Sequence, residues 1–88
     1  MELQLISGRF EAKDAEQILT DIYNVKISFH QQKIRTHIDS EENIKHAEKR
    51  ILQLEENLRN VIAKIKNSGK DRIDIHAHID ISFAPPLT

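Results

Sequence analysis

Residues 44–65 constrain this chain more than any other stretch. Ile44, Ala47, Ile51, Leu54, Leu58, Val61 and Ile65 recur at alternating spacings of three and four. That is the a/d series of a helix that lays one apolar seam against a second helix. Ile62 widens the stripe. The spacing predicts a helix over about 40–68. Its start is marked by "DSEE", where Asp39 caps and Glu42, three residues on, reaches back. Its end is marked by "KIKNSG", with cations in the last turns and Gly69 free to turn left-handed. Glu41–Lys45 and Glu55–Arg59 add i,i+4 pairs in the favoured order.

A seam needs a second helix, and residues 12–36 supply one. Ala15, Ile18, Ile22, Val25 and Phe29 form a similar stripe, which Leu19, Tyr23, Ile27 and Ile34 broaden. Ile27-Ser28-Phe29 looks strand-like by itself, but the flanking period of 3.6 predicts helix. The connection "THIDS" is short and polar, so the two helices form an antiparallel hairpin. Each leg is roughly 40 Å long at 1.5 Å per residue.

Strands flank the hairpin. In "RIDIHAHIDISF", apolar Ile73, Ile75, Ala77, Ile79, Ile81 and Phe83 alternate with Arg72, Asp74, His76, His78, Asp80 and Ser82. Strict alternation is the mark of a strand with one covered face, here over about 71–84. "ELQLISGRF" reads as a strand over about 2–10, with Leu3 and Leu5 on one face. Its alternation slips at Ile6, and Ser7-Gly8 reads as a bulge that returns Phe10 inward. Residues 1–88 therefore form one α+β domain of order β-α-α-β. A hairpin of equal legs returns the chain to where it left, so the two strands run antiparallel, with Arg9 and Phe10 near Arg72 and Ile73. Pro85-Pro86 ends strand pairing.

Such a domain is short of core. A chain of 88 residues buries only roughly 60–65% of its unfolded surface, and a two-stranded sheet is marginal alone. A long strand with an open edge is a template for another chain. The sequence therefore points to a homodimer or higher homo-oligomer formed through strand edges. In an antiparallel pairing of the last strand with its copy about His76, Arg72 faces Asp80, Asp74 faces His78, and His76 meets itself. That register pairs opposite charges, so Arg72, Asp74, His76, His78 and Asp80 are the candidate interface.

Composition narrows the partners. The 13 Lys+Arg against 14 Asp+Glu argue against strongly electrostatic partners such as nucleic acid or an anionic membrane. Cations in the second half interleave with Glu41, Glu42, Glu48, Glu55 and Glu56, so no pure basic stripe results. With no cysteine there is neither a disulfide framework nor a thiolate metal site. "MELQLISGRF" lacks the features of a signal peptide and no apolar run reaches the roughly 18–20 residues of a membrane span. The expectation is a cytoplasmic protein.

One constellation suggests chemistry. His76 and His78 share a strand face roughly 6.5–7 Å apart, a spacing that chelates zinc or another divalent transition metal. Asp74 or Asp80 would be a third ligand or orient an imidazole. Catalysis has no comparable signal. Gly-x-Ser-x-Gly and His-Glu-x-x-His are absent, and Gly8 and Gly69 are the only glycines. The favoured expectation is a non-enzymatic self-associating module. The alternative is a small metal- or ligand-binding protein using the His76/His78 face.

Finally, "GRFEAKDAEQILTDIYNVKISFHQQKI" followed by a Lys/Glu-rich helix and an Ile-rich strand is similar to small uncharacterised bacterial β-α-α-β proteins. The resemblance implies a free-standing bacterial intracellular protein, with Lys26, Phe29 and His30 as a shared surface. It carries no activity.

Overall fold

The computed structural model describes residues 1–36 and 41–86. The element order is β1 (Glu2–Glu11), α1 (Ala12–Thr36), α2 (Glu41–Ser68) and β2 (Arg72–Asp80). The fold is α+β, a long helical hairpin on a two-stranded antiparallel sheet. The Asp39 cap lies outside the described residues. At the other end of α2, Gly69 has φ +69°, and the Ser68 hydroxyl donates to the Ile65 carbonyl at 2.7 Å while accepting from Lys70 N–H at 3.1 Å. A left-handed glycine and a side-chain cap thus close the helix.

The helices meet along Ile27, Ile51 and Leu54, with Tyr23 and Ile34 packed against them. On α2 this is the predicted a/d series. On α1 the seam lies off the expected stripe, of which Ala15 is buried and Ile18 and Ile22 half-buried while Val25 is 72% and Phe29 55% exposed. Residues 25 and 27 lie about 160° apart around a helix, so both cannot face α2. The residues expected only to broaden the stripe make the seam.

Hydrogen bonding ties the sheet to the hairpin where both begin, with Ala12 N–H donating to Asp71 O at 2.8 Å. The register then pairs Phe10 with Ile73, Arg9 with Asp74, Gly8 with Ile75, Ser7 with His76 and Ile6 with Ala77. The irregularity lies between Gln4 and Ile6, so the extra residue is Leu5, and Ser7-Gly8 belongs to the regular ladder. Parity explains the correction. Ile6, Gly8 and Phe10 already alternate in phase, while Leu3 and Leu5 stand on the other parity. The shift must fall between residues 3 and 6 for Leu3 to reach Ile79 on the apolar face.

β2 is shorter than expected. Past Asp80, Ile81 N–H still donates to Met1 O at 2.8 Å, and its carbonyl accepts from the Met1 ammonium at 2.9 Å. Phe83 is 87% exposed and lies outside the strand.

Helical cover reaches only part of the apolar sheet face. α1 is the helix that touches both strands, and near that contact Ala15, Ile65 and Ile75 are buried. Toward the far end, Leu3, Ile79 and Ile81 remain exposed. No large side chain among the described residues is completely buried.

Candidate functional site

Period two puts Arg72, Asp74, His76, His78 and Asp80 on one face of β2, and all five are exposed. The regular ladder sets what stands opposite Arg72, Asp74 and His76, and the bulge at Leu5 sets what stands opposite His78 and Asp80. Glu11, Arg9, Ser7, Gln4 and Glu2 occupy the matching positions of β1. The polar row is therefore partly paired within the chain.

Its strongest contact is Arg9 with Asp74. Nε donates to Oδ1 at 2.8 Å and Nη2 to Oδ2 at 3.3 Å, a bidentate pair. Hydrogen bonding from Arg9 holds the Asp74 carboxyl below its usual range. Desolvation opposes this, while the charges of Arg9 and His76 assist. The same bond, with the Asp74 charge, raises the Arg9 guanidinium. Both groups are exposed, so the pair selects register more than it adds stability. The sequence places Arg9 and Phe10 near Arg72 and Ile73, and the observed pairing of Phe10 with Ile73 makes Asp74 the partner of Arg9.

His76 Nδ1 lies 3.1 Å from Ser7 Oγ. With the proton on Nδ1, that contact leaves Nε2 as a free lone pair, the state of a metal-ligating imidazole. His78 stands opposite Gln4. Among the described residues, no group of three or more His, Asp and Glu side chains is placed to hold a metal ion. Asp80 stands opposite Glu2, an unfavourable like-charge pairing that the Met1 ammonium, 3.9 Å from Asp80 Oδ1, offsets.

Lys26, Phe29 and His30 lie away from this row, on α1. The Phe29 ring meets His30 edge-on at 5.6 Å, and Lys33 Nζ sits 5.4 Å from the Phe29 centroid. Among the described residues, two grooves run between the helices. One, of about 560 Å³, is lined by Ile22, Tyr23, Lys26, Arg50 and Leu54. The other, of about 470 Å³, is lined by Phe29, His30, Ile34, Ile44 and Ala47. No helix among the described residues is long and apolar enough to cross a membrane. Compared with known protein families, curated proteins and solved structures, the chain matches none.

Proposed function

We propose that this chain is a non-enzymatic self-associating module, several copies of which share a core that one copy only begins. The observation that carries this reading is surface. The chain exposes 7503 Å², whereas a folded monomer of its mass exposes about 5,300 Å². The excess of about 2,200 Å² per chain is what an obligate homo-oligomer would cover. Leu3, Val25, Leu52, Ile79 and Phe83 all contribute to it.

Strand edges are one route to assembly. β2 has β1 on one side only, and its free edge fits a second β2 about His76. In that pairing Arg72 faces Asp80 and Asp74 faces His78 of the copy. Arg9 then holds Asp74 from one side and His78 from the other. Arg72→Asp should loosen the assembly, and adding Asp80→Arg should restore it.

A general test is dilution. If folding and assembly are coupled, the thermal midpoint rises with protein concentration. A midpoint constant over a hundredfold range would defeat the reading.

Metal binding is the second reading, and the Ser7–His76 contact favours it by orienting an imidazole. Calorimetric titration with zinc tests it. Micromolar binding that disappears in a His76→Ala, His78→Ala variant would support it, and no heat of binding would end it.

A further inference from the structure

Two apolar stripes run along α1, and the Ile27–Leu54 seam uses only one. The other is Ile18, Ile22, Val25 and Phe29, spaced by four, three and four. These residues form an a/d series, with Ile22 and Phe29 at a and Ile18 and Val25 at d. Its second half is open, Val25 being 72% and Phe29 55% exposed even with Lys33 lying over the ring. An exposed valine and phenylalanine one turn apart on a helix are poorly placed in water.

The flanks of this stripe differ in sign. On the e side stand Leu19, Lys26 and Lys33. On the g side stand Asp14, Asp21 and Ser28. Residues e and g decide how two such stripes can meet. In an antiparallel meeting like flanks face each other, so Lys26 and Lys33 confront lysines and Asp14 and Asp21 confront aspartates. In a parallel meeting each g residue faces the e residue five positions on in the other helix. Asp21 then meets Lys26 of the second copy, twice by symmetry, and Asp14 meets an uncharged leucine. Both groups are available. Lys26 is exposed, and exposed Asp21 accepts one hydrogen bond, from Gln17 Nε2 at 2.9 Å.

We propose that α1 packs in parallel against α1 of a second copy along Ile18, Ile22, Val25 and Phe29, in a register set by Asp21–Lys26 ion pairs between copies. The inference rests on the self-association reading and names its helical surface. That surface shares no residue with the polar row of β2, so the two contacts can be altered independently.

The absence of cysteine makes orientation directly measurable. In a parallel pair each seam residue faces its own copy. Val25→Cys and Phe29→Cys, each alone, should both give disulfide-linked dimers under mild oxidation. An antiparallel pair would permit at most one of them. The charge arm is Asp21→Lys, which should raise the dissociation constant about tenfold, as expected for two lost ion pairs replaced by repulsions. Adding Lys26→Asp should restore it. All four positions are exposed, so each variant keeps its fold, which circular dichroism checks. Cross-linking at both cysteine positions together with charge rescue supports the proposal. An oligomeric protein in which at most one position cross-links, or in which Asp21→Lys changes nothing, overturns it and leaves the self-association reading standing. A protein that is monomeric throughout overturns both.

Discussion

At Gly8 an added Cβ would lie 3.6 Å from the Phe10 ring, an ordinary contact, and the backbone there has no positive φ. Glycine is a poor strand residue by about 0.5–1 kcal/mol relative to alanine. Gly8→Ala should therefore stabilise by about that amount in urea unfolding. Gly69 is the opposite case. At φ +69° a side chain is strained, and Gly69→Ala should destabilise by about 1 kcal/mol. Acid adds a further test at this scale. The Asp74 carboxyl titrates lower in the folded chain than its ordinary value, chiefly through the Arg9 hydrogen bond. Its contribution is therefore complete above about pH 4, the unfolded value, and is lost as pH falls through the folded one. Arg9→Gln should flatten the loss of stability on acidification below about pH 4. Identical acid limbs in the two proteins would show that the pair contributes nothing to stability.

Among the elements, α2 and β2 were the most legible, because each has one apolar face and one period. Ile51, Leu54 and Ile65 are the buried residues of α2, all members of the a/d series. Leu54 is 5% exposed, so Leu54→Ala should cost about 2–5 kcal/mol. A urea midpoint unchanged by that substitution would remove the seam. In β2, Ile75 is buried while Asp80 is exposed. Ile75→Lys should unfold the chain and Asp80→Lys should leave it folded. The same reading misplaced the seam of α1 because that helix is apolar over about half its circumference, and periodicity cannot say which part faces inward. It also misplaced the bulge, since a glycine drew attention that the parity of Leu3 and Ile6 should have received. The polar row is legible as one face, but its in-chain partners depend on the register and, for His78 and Asp80, on that bulge.

The whole molecule is thin. Its Cα atoms span 49 × 30 × 15 Å with a radius of gyration of 16.4 Å, against about 12 Å for a compact domain of this length. Domains are stable when each amphipathic element buries its face against another layer. Here one side of α1 and the far half of the sheet have no such layer, and Leu3, Val25, Phe29 and Ile79 are left in water. A second copy is the simplest supplier of the missing layer. The most direct test is the particle mass in solution, measured by light scattering on a size-exclusion column at tens of micromolar protein. At least twice the 10.2 kDa of one chain is expected. A particle of 10.2 kDa that stays folded at that concentration would contradict it.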